Sequence, residues 1–284
     1  MSIHTLRFPG TNGKGVLLIH GLAGAPAEML FLAKRLNKRG FSVLAPQLAG
    51  HCEDADALLK TSWRDWLGSV REAYRELAQT TSEVFVAGIC VGGALGLALA
   101  ADEPGVRRAA IYSMTFEYDG WNMKRWYRLA PLMWLLRLLP MLRPIQFEEP
   151  YPYGLKDERL RERVQNDPGG LIGAVLSAIP LGSLHEMYKL ARHVEKIGSK
   201  IHQPVLIVHA REDDMSDVRN AHRLARSLGG QVDIQLMEDS YHMVHVDRER
   251  NLVADLTAQF FGVQLERPRK MTAAIAESVN EHAT

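Results

Sequence analysis

Cysteine is scarce in this chain: of 284 residues only Cys52 and Cys90 are cysteines, so neither a disulfide framework nor a metal staple is called for. An excess of charge of one sign is also missing. With 34 basic and 33 acidic residues the formal net charge is +1, which suggests neither a nucleic-acid groove nor an acidic substrate. The N-terminal MSIHTLRFPG lacks the basic-then-apolar layout of a secretory signal, so a cytoplasmic location is expected. The most apolar stretch, LAPLMWLLRLLPML, is broken by Pro131, Arg137 and Pro140, which excludes it as a transmembrane segment and makes a soluble chain the expectation. There is no internal repeat and no low-complexity tract. What is present is apolar material, 46% of the residues, enough for one sizeable core with room for an inserted subdomain.

Short β-branched runs alternate with longer helical patterns: GVLLIH, PAEMLFLAKRLNKRG, FSVLAP, TSWRDWLGSVREAYRELA, EVFVAG, VGGALGLALAA and RRAAIYS. This alternation predicts an α/β fold, a mostly parallel sheet with helices on both faces. It stops after Ser113 and resumes with PVLIVHA, NAHRLARSLGG, VDIQLME and DRERNLVADLTAQFF. Residues 1–113 and 201–262 therefore read as the core, and 114–200, with helical spacing and no clear strand, as an inserted helical cap. Residues 263–284 carry few large apolar side chains and read as a tail.

The stretch VFVAGICVGGALGLALAA contains the frame glycine, any residue, nucleophile, any residue, glycine, with Cys90 in the nucleophile position. Such a frame places its nucleophile on a tight strand-to-helix turn, where crowding demands small neighbours. Taken alone, Cys90 reads equally well as a small buried hydrophobe. An acyl-transfer site needs more: a base, an acid that orients it and donors for the oxyanion.

Those parts follow in chain order. HAREDD ends a strand and offers Asp213 in the loop at its carboxyl end, with Glu212, Asp214 and Asp217 as rivals. SYHMVHVD offers His242 and His245, and His242 is preferred because it comes sooner after the strand end. The His242/His245 pair finds no third ligand at metal-binding spacing. LLIHGLAGAP ends a strand in a small-residue loop, so the backbone N–H groups of Leu22 and Val91 are the candidate oxyanion donors, and His20 is read as bracing the turn.

Together HGLAG, GICVGG, HAREDD and SYHMVHVD resemble the α/β-hydrolase superfamily, and APQLAGHCEDADALLKTSWRDWLGSVREAY is similar to its bacterial carboxylesterase and monoacylglycerol-lipase branch. The resemblance implies a doubly covered parallel sheet, a nucleophile–acid–histidine triad, and a cap where 114–200 lies. It departs at Cys90, where that branch carries serine. Dienelactone hydrolases and polyhydroxyalkanoate synthases, in the same superfamily, use cysteine, and Cys-Val-Gly-Gly is similar to the synthase turn.

The thiol restricts the substrate. In a tetrahedral intermediate formed from an alkyl ester, the thiolate is a better leaving group than the alkoxide, so attack reverses. Thioesters and activated esters or lactones escape that bias. The expected activity is hydrolysis of such compounds by Cys90, His242 and Asp213, with no cofactor. Transfer or cyclisation to an acceptor other than water is the alternative, and a non-catalytic binding protein is favoured only if Cys90 is buried and unpaired. The expected partner is a small-molecule acyl substrate, free or bound to CoA or a carrier protein. In the cap, Trp121, Trp126 and Trp134 stand among leucines and Lys124, Arg125, Arg128 and Arg137, a pattern suited to an acyl pocket, to peripheral lipid contact or to plain packing on the core. Cys52 is read as a loop residue near the site mouth without a role.

Overall fold

The computed structural model describes residues 5–124, 139–148, 150–166 and 178–263. Their core is a sheet of seven strands flanked by helices. In chain order the elements are β1 (Leu6–Phe8), β2 (Lys14–Ile19), α1 (Leu30–Asn37), β3 (Ser42–Ala45), α2 (Ala55–Leu59), α3 (Trp63–Ala78), β4 (Glu83–Ile89), α4 (Val91–Asp102) and β5 (Val106–Tyr112). After these come β6 (Gln146–Glu148), α5 (Glu158–Asn166), β7 (Ala178–Pro180), α6 (Leu181–Ile197), β8 (Val205–Ala210), α7 (Arg219–Ser227), β9 (Val232–Met237) and α8 (Arg250–Phe260).

The main sheet runs β1-β3-β2-β4-β5-β8-β9, parallel except for β1, which pairs antiparallel with β3 at one edge. β2, β4 and β8 are almost wholly buried, as continuous apolar runs in the middle of a doubly covered parallel sheet must be. The strand order reverses between β2 and β4, and loops at the carboxyl ends beside that reversal form the usual ligand crevice of such sheets. β2 and β4 are in register there, with Ile19 opposite Gly88, so the loops that leave them lie side by side.

Helix patterning follows from what each helix covers. α3 buries Trp63, Trp66, Leu67, Val70, Ala73 and Leu77, one stripe at helical spacing, and Asp65 reaches back to accept the Ser62 N–H at 2.8 Å at its start. α4 is buried on all sides from Val91 to Ala100, because it lies on β4 and β5 and is itself covered by α3 and α6. No amphipathic stripe is to be expected in such a position.

The described part of residues 114–200 departs from the sequence expectation of no clear strand. The segment contains strands: β6 and β7 form a two-stranded antiparallel ribbon, pairing Gln146 with Pro180 and Glu148 with Ala178. Three-residue strands are too short for alternation to reveal them, and Pro180 terminates one of them. α6, at the end of this segment, packs against α3 and α4 and leads into β8.

Candidate active site

β4 ends at Ile89 and α4 begins at Val91, leaving one residue for the turn between them. That residue, Cys90, has φ 49° and ψ −111°, a conformation costly for any side chain. Its N–H donates to the Tyr112 carbonyl at 2.9 Å, and its carbonyl accepts from Ala94 N at 3.0 Å, so the turn is held by β5 on one side and by the helix on the other. A Cβ on Gly88 would lie 2.4 Å from the Gly92 carbonyl carbon, and one on Gly92 would lie 2.2 Å from the Ile19 carbonyl oxygen. Gly88 and Gly92 of GICVGG are thus required by contact between backbones.

Two other loops converge on Cys90. His242, after β9, is 4% exposed, and its Nδ1 lies 2.9 Å from Asp213 Oδ2 and 3.1 Å from Oδ1. Asp213, after β8, also accepts at Oδ1 from Met215 N at 2.9 Å and Ser216 N at 2.8 Å. The Cys90 side chain hydrogen-bonds to His242. Burial opposes a charge on the imidazole, yet Asp213, through its charge and its hydrogen bond, and then Cys90 hold the His242 pKa well above the ordinary histidine value. Burial likewise opposes the Asp213 charge, and the charge and hydrogen bond of His242 bring its pKa below the usual carboxylate value. Cys90 is therefore buried but paired.

The rival residues have other occupations. Glu212 is exposed and ion-paired with Lys156 at 2.7 Å. Asp217 Oδ1 accepts from Arg219 N at 2.9 Å, next to the start of α7. Asp214 is buried and receives two backbone N–H groups, from His242 at 3.3 Å and from Gly154 at 3.1 Å. His245 stacks on Tyr112, 6.3 Å between ring centroids, and burial first, then His242, lower its pKa to about 3.

Val91 opens α4, so its N–H belongs to the first helical turn, which has no intrahelical acceptor. Leu22 lies in the loop after β2, where Gly24 N bonds the Gly21 carbonyl at 3.2 Å, Gly21 N donates to Glu28 Oε2 at 3.2 Å, and Ala23 takes φ 57°. His20 braces this loop: Nδ1 donates to the Gly21 carbonyl at 2.9 Å and Nε2 accepts from Leu48 N at 3.4 Å. Burial, followed by the nearby His51, lowers its pKa to about 3 and keeps it neutral. Cys52, half-buried with φ 62°, has its thiol pushed up to about 11 by burial and then by Glu28 and Glu53, which makes it a poor nucleophile.

Of the three tryptophans singled out in the sequence, Trp126 and Trp134 lie outside the described residues. Trp121 is 59% exposed, donates Nε1–H to the Glu212 carbonyl at 3.0 Å and sits edge-on to Tyr241. The structure adds a cluster that no spacing announced. Tyr118 is edge-on to Tyr188 and tilted against Phe147, each pair 6.4 Å apart, and the Tyr118 hydroxyl donates to Met187 Sδ at 3.6 Å. All four are buried. Among the described residues, no group of three or more His, Cys, Asp or Glu is placed to hold a metal ion.

Comparison with known proteins shows the family of the chain. The family described as "Serine aminopeptidase, S33" matches residues 11–249. The chain belongs to this hydrolase family. It is 26% identical to a thermostable monoacylglycerol lipase of Bacillus sp. strain H-257, over 89% of this chain and 93% of the relative. It is also 26% identical to a carboxylesterase of Bacillus subtilis strain 168, over 84% and 89% respectively. Its fold is similar to that of a monoacylglycerol lipase from Paleococcus ferrophilus, with TM-score 0.74 and 19% identity, covering 92% of this chain and 98% of the other. Among the described residues no helix is long and apolar enough to cross a membrane.

Proposed function

We propose that the chain is an esterase or thioesterase in which Cys90 is the nucleophile, His242 the general base and acid, Asp213 the orienting carboxylate, and the N–H groups of Leu22 and Val91 the oxyanion donors. The observation that carries this reading is the unbroken hydrogen-bonded order Cys90, His242, Asp213 behind a strained turn at a helix N-terminus.

The cycle follows from that order. His242 Nε2 takes the Cys90 proton as Sγ attacks the acyl carbon, and Asp213, bonded to Nδ1–H, fixes the tautomer and stabilises the imidazolium. Negative charge on the acyl oxygen is received by the two N–H groups. Collapse breaks the bond to the leaving group, which takes the proton from Nε2 and departs as thiol or alcohol. Water then attacks the Cys90 thioester, gives its proton to His242, and releases the carboxylic acid and the free thiol. A thioester, or an ester or lactone with a phenolic or enolic leaving group, suits the thiol best.

A lipophilic acyl group is supported by the buried cluster of Tyr118, Phe147, Met187 and Tyr188 and by the exposed Leu139, Met141 and Ile145 beside it in sequence. Trp121 is kept as a contact at the rim, since it rests on the residue before Asp213. The names of the relatives, a monoacylglycerol lipase and a carboxylesterase, point to the same substrate class. The test is intact-mass analysis after rapid quench with a panel of acyl thioesters and p-nitrophenyl esters. An acyl mass on the wild-type chain that is lost in Cys90→Ala is expected. Turnover undiminished in Cys90→Ala would overturn the assignment.

A further inference from the structure

His242 is held at more than its ring. Its backbone N–H donates to Asp214 Oδ1 at 3.3 Å, and its carbonyl accepts the Ser113 hydroxyl at 2.6 Å and Val244 N at 2.9 Å. Ser113 directly follows Tyr112, whose carbonyl receives the Cys90 N–H at 2.9 Å. Two consecutive residues at the carboxyl end of β5 thus hold the backbone of Cys90 and the backbone of His242.

The conformation of Ser113 fits such a role better than a packing role. It is fully buried and has φ 44°, in the left-handed region where glycine is the usual occupant. Its N–H donates to the Val208 carbonyl at 2.9 Å, which extends the β5–β8 ladder by one residue, and its carbonyl accepts from the Thr115 hydroxyl at 3.2 Å. Glycine would satisfy the backbone at this site without strain. What glycine lacks is the hydroxyl that reaches the His242 carbonyl.

We infer that Ser113 is a positioning residue that fixes the separation of the Cys90 sulfur and the His242 ring by tying the loop that carries His242 to the strand end that holds Cys90. The inference rests on the reading of these two residues as nucleophile and base. The loop carrying His242 has no strand or helix of its own between Met237 and Arg250, so its registration comes from contacts with other segments, among them Met243 N donating to the Gly154 carbonyl at 2.9 Å and the side chains that meet His242. Asp213 sets the ring azimuth, Asp214 the backbone N–H and Ser113 the carbonyl. A displacement of about 1 Å between reacting groups lowers the rate on the order of a hundredfold, so a partial loosening is expected to cost about tenfold.

Ser113→Ala and Ser113→Gly separate the hydroxyl from the strain. Both lose the hydrogen bond, but only glycine relieves the positive φ, so its melting temperature is expected to equal or exceed that of the alanine variant. With p-nitrophenyl hexanoate as probe, kcat is expected to fall about tenfold in both variants while KM stays within about twofold, and the gain in stability with glycine is expected not to restore kcat. Recovery of kcat in Ser113→Gly along with its stability would overturn the inference, because activity would then follow folding alone. His242→Ala serves as the control for the underlying reading. If it is inactive while both Ser113 variants keep wild-type kcat, the inference fails alone; if it is fully active, the base assignment fails first and takes the inference with it.

Discussion

Asp213 and Asp214 are consecutive, yet they meet His242 at opposite ends: Asp213 Oδ2 lies 2.9 Å from the ring Nδ1, and Asp214 Oδ1 accepts the backbone N–H at 3.3 Å. The two carboxylates are pushed in opposite directions as a result. Asp213 shares charge and a hydrogen bond with His242 and keeps a low pKa against its burial. Asp214 is met by the backbone N–H groups of His242 and Gly154, and burial first, then the Asp213 charge, raises its pKa to about 6.

The division of labour predicts unequal losses. Asp213→Asn removes the acceptor that holds the Nδ1–H tautomer, and kcat/KM is expected to fall on the order of a thousandfold or more. Asp214→Asn keeps one oxygen for a backbone N–H and leaves the ring untouched, so a loss of about tenfold or less is expected. Steady-state hydrolysis of p-nitrophenyl hexanoate by both variants decides the point. The reverse ranking would move the acid to Asp214.

Asp214 also predicts a pH dependence of stability. A carboxyl whose pKa is about 6 when folded, against 3.8 in the unfolded chain, binds more protons folded than unfolded between those values. Stability therefore falls as pH rises through this window, by about 1.4 kcal/mol per unit and about 3 kcal/mol at most. His242 acts outside the window, since its raised pKa contributes stability that is fully present below 6.5 and lost only at higher pH. Asp213 acts below it, because its lowered pKa contributes stability lost as pH falls under 3.8. In urea unfolding at pH 4 and pH 7, the stability of the wild type relative to Asp214→Asn is expected to drop by roughly 2 to 3 kcal/mol. A constant difference would show that Asp214 ionises freely.

The parts of the site legible in the sequence are those whose chemistry or sterics leave no choice of residue. Gly88 and Gly92 are forced by backbone contact, so GICVGG announces the turn. Asp213 follows β8, an apolar run covered on both faces, and His242 follows β9, an edge strand legible from its alternation of Val232, Ile234 and Leu236 with Asp233 and Gln235. Ser113 is not announced by the sequence, and Asp214 shows there only as a rival for the acid, because both act on backbone groups, which any loop sequence supplies, and no spacing encodes that contact. β1, β6 and β7 are three residues each, shorter than any periodicity. The Tyr118, Phe147 and Tyr188 cluster is assembled from segments far apart in the chain, so local pattern cannot reveal it.

Two glycines with opposite surroundings predict opposite outcomes. Gly92→Ala puts a Cβ 2.2 Å from the Ile19 carbonyl oxygen, where neither backbone can yield, so loss of more than about 4 kcal/mol or failure to fold is expected. Gly68, inside α3, has nothing within 4 Å of an added Cβ. Gly68→Ala is expected to stabilise the chain by about 0.5 to 1 kcal/mol through helix propensity alone. Thermal unfolding of both variants checks the pair, and a destabilised Gly68→Ala would mean that α3 is more crowded than its surroundings indicate.

The last expectation concerns the thiol itself. Cys90→Ser keeps the strained turn, the His242 and Asp213 hydrogen bond and the backbone donors, because serine differs little in volume and none of those groups is touched. Only the competition inside the tetrahedral intermediate changes. With Cys90, collapse of an adduct from an alkyl ester expels the thiolate in preference to the alkoxide, and attack is undone; with a serine alkoxide the two leaving groups are matched. The substitution is therefore expected to raise the ratio of kcat/KM for an ethyl ester to kcat/KM for the matched ethyl thioester of one medium-length acyl chain, by about tenfold or more. The ratio is informative where either constant alone is not, since any disturbance of acyl binding or of the oxyanion donors divides out. An unchanged ratio, with the wild type already preferring the oxygen ester, would mean that leaving-group chemistry does not govern turnover at Cys90.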